Sequence, residues 1–294
     1  MLSLLKRIKR TFFSVEAYYA FLSYIPQPNL LNNAPRERKI IVSLTSIPSR
    51  LDKLHIVLMS LLWQSFKADK IVLWLSEYDK NGNRQIWKDN LPANIKRMQR
   101  KGVEINFVED IRSYRKLIPA LKKYPDAVIV TADDDTIYPK DWLRQLINAH
   151  DQHPNTVVCF RGSTIILENG EYSPYQSWPE FTKKLQPSNF IFPQGCEGIL
   201  YPPGVLGQEV FNQERFLQLS PTADDVWFKA MSLLNDVPCV KITSQHRDFR
   251  RIGGSQSGEH VLHIINNVQG RNDPQIKSVF SHYELHSKLS PPSH

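Results

Sequence analysis

Four short apolar runs, Lys39–Leu44, Ile71–Leu75, Val103–Val108 and Ala127–Thr131, punctuate the first half of the chain. Between the first two, Leu51, Leu54, Val57, Leu58, Leu61 and Leu62 recur at three- and four-residue steps across Arg50–Ser65. Arg112–Leu121 and Pro139–His150 read as further helices on the same criterion. Strands that are apolar at nearly every position must be covered on both faces, so their alternation with helices predicts an α/β fold with a mostly parallel sheet. In such sheets ligands bind beyond the carboxyl ends of the strands. The residues that follow each run are therefore the ones to search for chemistry.

Composition narrows the class. The chain is 41% hydrophobic and 22% charged, which excludes a disordered or collagen-like chain. No apolar run approaches the roughly 18–20 residues of a membrane span. Three cysteines stand far apart without a C-x-x-C pair, which predicts a reducing compartment and neither a disulfide framework nor a cysteine zinc site. The net charge of +8 is unevenly spread: residues 1–150 hold 25 Lys/Arg against 15 Asp/Glu, the remainder 12 against 14. The first half thus faces something anionic, whether nucleotide phosphate, acidic lipid or nucleic acid.

The N-terminal segment reads as an appendage. Within residues 2–25, Leu5, Ile8, Phe12, Val15, Tyr19 and Leu22 keep helical spacing, with Lys6, Arg7, Lys9 and Arg10 near the start. Residues 1–28 are therefore expected to form a basic amphipathic helix, 29–38 a linker and 39–294 one α/β domain. The helix lies on an anionic membrane surface, packs on the domain or serves as a signal anchor. The first alternative places the protein in the cytoplasm, peripheral to the inner face of the membrane.

After the fourth apolar run come Asp133, Asp134 and Asp135. Three consecutive carboxylates repel one another and are costly unless a cation or hydrogen bonds offset the charge. Alternate residues of an extended segment point the same way, so Asp133 and Asp135 can share one Mg²⁺ or Mn²⁺. Equally, the acids can cap the helix expected near Pro139. No Gly-rich P-loop or dinucleotide fingerprint occurs.

With these residues in place, the chain resembles the GT-A class of nucleotide-sugar glycosyltransferases, especially bacterial enzymes that build surface polysaccharides. The stretches that carry the resemblance are IVSLTSIPSR (Ile41–Arg50), IVLWLS (Ile71–Ser76), YRKLIPAL (Tyr114–Leu121), VIVTADDDTIYP (Val128–Pro139) and ADDVWF (Ala223–Phe228). The resemblance implies a metal, Mn²⁺ or Mg²⁺, on Asp133 and Asp135, with a late histidine such as His260 joining it. It also implies a donor, a UDP-sugar, near Thr45, Ser46, Arg50 and Asp134. Arg115 or Lys116, just before the metal strand, becomes a candidate phosphate contact. On the same resemblance the acceptor is expected to be a hydroxyl of a glycan, lipid-linked, and nucleic acid is not expected as a partner.

A second acidic pair, Asp224 and Asp225, follows Ser220–Ala223 at what looks like a helix start. Both acids suit the positive end of a helix dipole. By resemblance, one is the general base that deprotonates the acceptor, with Asp225 favoured over Asp224. Between the acidic sites, Gly195, Gly198 and Gly204 with Pro202–Pro203 suit either a wall around a sugar or a loop-to-strand junction. Arg250, Arg251, Gly253 and Gly254 are candidates for a flap over the diphosphate. Two other readings stay open: a sugar-phosphate nucleotidyltransferase, which also uses strand-end carboxylates, and a basic membrane- or nucleic-acid-binding module.

Overall fold

The computed structural model describes residues 14–179, 186–243, 248–254, 266 and 268–289. Its centre is a seven-stranded sheet with strand order β10-β6-β9-β4-β1-β2-β3. The strands are β1 (Ile40–Thr45), β2 (Lys70–Leu75), β3 (Val103–Phe107), β4 (Val128–Ala132), β6 (Val157–Thr164), β9 (Ile191–Tyr201) and β10 (Cys239–Lys241). β5 (Thr136–Ile137) pairs with β11 (Arg250–Arg251), and β7 (Leu167–Glu168) with β8 (Glu171–Tyr172). β1 is parallel to β2 and β4, and β2 to β3. β9 alone runs antiparallel to its neighbours β4 and β6.

Alternation along β1 shows why its residues are apolar throughout. Ile40, Val42 and Leu44 join one core layer with Leu54, Val57, Leu58 and Leu61 of the Leu51–Leu62 helix. Ile41 points into the other layer, with Tyr114, Leu117 and the Asp224–Leu234 helix residues Val226, Trp227 and Ala230. Each fully buried aliphatic side chain contributes about 1.5–3 kcal/mol of transfer free energy. The polar interruption, Ser43, is satisfied: its hydroxyl donates to Lys116 O at 2.6 Å and accepts from Trp74 Nε1 at 2.9 Å.

The first four strands fall where the apolar runs place them, and the sheet is mostly parallel as expected. The helix anticipated over Arg112–Leu121 is broken instead. A 3-10 turn, Arg112–Lys116, precedes Leu117 at φ −124°, and a short helix, Ile118–Lys123, starts with Pro119 in its first turn. A proline there is pre-organised for a helix start and lacks the N–H a continuing helix requires.

Where it is described, the N-terminal segment packs on the domain. Val15–Tyr24 is helical, starts with Ser14 Oγ accepting from Ala17 N at 3.2 Å, and buries Tyr19 and Leu22 in the core. No described helix is long and apolar enough to cross a membrane.

Candidate active site

β9 decides where the site forms. Because it runs against β4 and β6, its early residues Gln194, Gly195 and Cys196 arrive at the carboxyl edge of those strands, beside the aspartate triplet. A cavity of about 1110 Å³ opens there. It takes in Thr45, Ser46 and Arg50 after β1, Asp133–Asp135 after β4, Gly195 of β9, and Asp224 and Asp225 of the Asp224–Leu234 helix. Asp133 and Asp225, far apart in sequence, thus share one cleft.

Two cationic clusters divide the acids. On one side, Asp134 accepts from Ser46 Oγ at 2.6 Å and pairs with Arg50 Nη1 at 2.5 Å. The same guanidinium lies 3.6 Å from Asp135 Oδ2, while Arg251 Nη1 approaches Asp135 Oδ1 at 3.5 Å. The Arg250–Arg251 strand reaches this position because Ile252 N donates to Asp135 O at 2.7 Å. On the other side, Lys116 Nζ lies 3.0 Å from Asp224 Oδ2, 3.7 Å from Asp133 Oδ1 and 4.0 Å from Asp225 Oδ1.

The electrostatics follow from that crowding. Burial opposes charge on Lys116, yet Asp224, Asp133 and Asp225 together hold its ammonium well above the ordinary lysine range. Burial pushes the Asp133 carboxyl up to about 7; Lys116 opposes the rise and the neighbouring carboxylates reinforce it. Asp225 is pushed up to about 6, again by burial against Lys116, with Asp224 adding to the rise. Desolvation also raises Asp134, although Arg50 and Ser46 pull it back.

Neither acidic group is spent on helix capping. Asp133–Asp135 make no cap to the Trp142–Gln152 helix, whose N-cap is Asp141 without a side-chain bond. The Asp224–Leu234 helix has Ala223 as its N-cap, also without a side-chain bond. Asp225 Oδ2 instead accepts the backbone N–H of Gly195 at 2.9 Å, and its Oδ1 is buried with no hydrogen-bond partner among the described residues. Gly195 leaves room for both side chains. A Cβ would stand 2.8 Å from Lys116 Nζ and 2.9 Å from Asp225 Oδ1.

A divalent cation fits the donor chemistry. The Asp133 carboxylate meets Lys116 at 3.7 Å and accepts no hydrogen bond among the described residues. Asp135 is more committed, to Arg50, Arg251 and Thr136 Oγ1 at 3.2 Å. Among the described residues no three His, Cys, Asp or Glu side chains converge as a metal cluster. An ion held by two aspartates with substrate phosphate oxygens is a common arrangement for Mg²⁺. His260, and with it His246 and His263, lies outside the described residues.

The expected donor contacts border the cleft and have partners within the protein. Lys116, a candidate phosphate contact, has its ammonium beside Asp224 and Asp133. Arg115 borders the cleft, but its Nε donates to Arg112 O at 3.1 Å and lies 3.6 Å from Asp110. Thr45 also borders it, with its hydroxyl donating to Trp74 O at 2.9 Å. The part of the cleft lined by β6 and β9 contains residues that the sequence did not single out. Gln194 Nε2 donates to Tyr175 Oη at 2.8 Å and to Ser163 Oγ at 3.1 Å, and Arg161 Nε donates to Gln194 Oε1 at 2.9 Å. Their strand pairing is long-range, so no local pattern marked them.

Known proteins give the following likenesses. TarS of S. aureus, residues 1–349 in complex with UDP-GlcNAc, is 16% identical with a TM-score of 0.44, covering 76% of this chain and 60% of that one. The structure titled TarS 1–349 without a named ligand is 13% identical with a TM-score of 0.45, covering 86% and 72%. A CMP:2-keto-3-deoxy-manno-octonic acid synthetase complexed with CTP is 9% identical with a TM-score of 0.42, covering 80% and 98%. The chain thus spans only 60% of the TarS fragment bound to UDP-GlcNAc, and 36% of a second TarS structure. No curated protein matches it. Residues 87–200 match the model of the family described as glycosyl transferase family 2, a stretch that holds both the aspartate triplet and Gly195.

Proposed function

We propose that the chain is a glycosyltransferase that moves a sugar from a nucleoside diphosphate sugar, a UDP-sugar, to a glycan hydroxyl. One observation carries this reading. Asp225 is anchored through one oxygen by the Gly195 N–H, leaves the other without a hydrogen bond among the described residues, and shares its cleft with the strand-end aspartate triplet. The family match over residues 87–200 agrees with it.

The chemistry asks for two things at opposite ends of one bond. Negative charge grows on the departing diphosphate, and a proton must leave the attacking hydroxyl. Asp133 and Asp135 would hold a Mn²⁺ or Mg²⁺ ion, which supplies Lewis-acid stabilisation of the diphosphate when bound. Arg50 and Arg251, fixed beside the same aspartates, add preorganised positive charge. Ser46 and Asp134 form the wall next to the nucleotide.

At the other end, Asp225 takes the proton. The acceptor oxygen attacks the anomeric carbon, the bond to the diphosphate breaks, and the hydroxyl proton passes to Asp225. Attack from the face opposite the leaving group inverts the anomeric centre. A carboxyl pushed up to about 6 is a stronger base than a free aspartate and still mostly ionised near neutrality. Asp224, paired with Lys116, orients the helix end rather than moving the proton. Gln194, Tyr175, Ser163 and Arg161 offer a polar wall to a hydroxyl-rich acceptor. A lipid-linked glycan in surface polysaccharide synthesis is the acceptor class we favour.

The deciding experiment supplies UDP-sugars with Mn²⁺ and follows the released product. Release of UDP from a nucleotide sugar supports the reading. Pyrophosphate released from a nucleoside triphosphate and a sugar phosphate, with no UDP release, would assign the cleft to a nucleotidyltransferase instead.

A further inference from the structure

The outer face of the N-terminal helix is not covered by the core it rests on. Tyr19 and Leu22 face inward, whereas Phe21 and Tyr24, neighbours at i and i+3, are 43% and 68% exposed. Beside them lies the Ala93–Arg100 helix. Its Arg97 guanidinium stacks on the Tyr24 ring, 3.8 Å from the centroid, and Lys101 Nζ donates to Ile25 O at 2.6 Å. These two contacts join the aromatic pair and the basic helix into one surface.

That surface is strongly cationic. From Leu91 to Val103 the chain carries Lys96, Arg97, Arg100 and Lys101 and no acid. Arg97 Nε and Nη2 and Gln27 Oε1 are buried and have no hydrogen-bond partner among the described residues. A cavity of about 370 Å³ is lined in part by Gln27, Asn29, Asn33, Arg100 and Lys101, and in part by the apolar Pro26, Leu30 and Leu31. Amide and cationic groups around a cavity of this size suit a phosphate-bearing headgroup. Aromatic rings beside it suit the interfacial layer of a bilayer, where amphipathic rings settle.

We propose that this face docks on an anionic lipid surface, with Phe21 and Tyr24 in the headgroup layer and Lys96 and Arg100 against its phosphates. Charge complementarity selects the occupant: a cationic strip flanking exposed aromatics matches acidic lipid, and each basic side chain near such a surface adds attraction. The same helix is tied by Glu16 to Arg250, at 3.7 Å, and the adjoining Arg251 faces Asp135. The start of this helix therefore touches the rim of the cleft. The inference does not depend on the transferase reading, because lipid binding is read without any nucleotide.

The test is co-sedimentation of the full chain with vesicles of phosphatidylcholine alone or mixed with phosphatidylglycerol. Wild type should bind the mixed vesicles and not the neutral ones. A Phe21→Ser/Tyr24→Ser variant and a Lys96→Glu/Arg100→Glu variant should each weaken that binding about tenfold or more. Circular dichroism and UDP binding should stay unchanged in both, which separates this proposal from the fate of the cleft. Equal binding by wild type and variants, or none by wild type, overturns it. If instead the wild type is a dimer that the aromatic variant dissolves, the face belongs to a second copy of the chain and the proposal fails.

Discussion

Lys116 and Asp224 form a buried ion pair, with Nζ 3.0 Å from Oδ2, and through it the two acidic sites become one. The same ammonium is 3.7 Å from Asp133, so a single lysine stands between the triplet after β4 and the helix that carries Asp225. Desolvating one charge without its partner is expensive, and a buried cation with several carboxylates is a low-dielectric solution to their mutual repulsion. Lys116 thereby fixes the relative placement of the residues proposed to hold the leaving group and those proposed to accept the proton.

Replacing Asp225 by Asn keeps the shape and removes the base. Its amide still has an oxygen to accept from Gly195 N. Turnover of a UDP-sugar should fall by about 10²–10⁴-fold, the usual span for a lost general base, while UDP affinity stays unchanged. Steady-state kinetics beside calorimetric UDP titration make the comparison. Normal kcat in this variant removes Asp225 from the mechanism.

Gly195→Ala probes the same contact from the backbone side. The added methyl would meet Lys116 Nζ at 2.8 Å and Asp225 Oδ1 at 2.9 Å, so both side chains must shift. Overpacking of this kind costs about 1–3 kcal/mol of stability. Displacing Asp225 should also lower kcat more than it raises KM. Urea unfolding and initial rates read the two effects separately, and unchanged kcat would show that the close approach does not matter.

Much of this arrangement was legible in the chain. The four apolar runs end within one residue of the ends of β1, β2, β3 and β4, because a strand covered on both faces leaves an unbroken local signature. The acids of the triplet and of Asp224–Asp225 stood out for the opposite reason: clustered charge needs an explanation. What stayed hidden depends on distant partners. Gly195 acquires its role only when β9 runs antiparallel between β4 and β6, and nothing near Gly195 encodes that pairing. The direction of Lys116 is likewise set by the break at Leu117, which turns the lysine into the sheet edge instead of along a helix surface. The N-terminal helix carried a clear period, but period alone does not say whether an apolar face meets lipid or its own domain.

A stability prediction comes from the far end of the sheet. Partial burial opposes ionisation of Glu104, but hydrogen bonds from Lys123, Lys70, Asn106 and Tyr124 outweigh it and hold the carboxyl at about 2. Its folded pKa is thus below the unfolded value of about 4.3. The stabilisation is complete above the unfolded pKa and is lost as pH falls towards about 2. Because the group is partly exposed, its net worth is about 1 kcal/mol or less. Glu104→Gln should therefore unfold at lower urea than wild type at pH 7, with the gap shrinking as pH drops below about 4. A gap that widens in acid would contradict the assignment.

The central claim is that the aspartate triplet receives a nucleoside diphosphate together with a divalent ion, and calorimetric titration of UDP, with and without Mn²⁺, addresses it most directly. Wild type should bind UDP much more tightly with Mn²⁺ than without, and Asp135→Ala should lose that difference while keeping its circular dichroism spectrum. UDP binding that ignores both the ion and the substitution, or no binding at all by intact protein, would contradict the account.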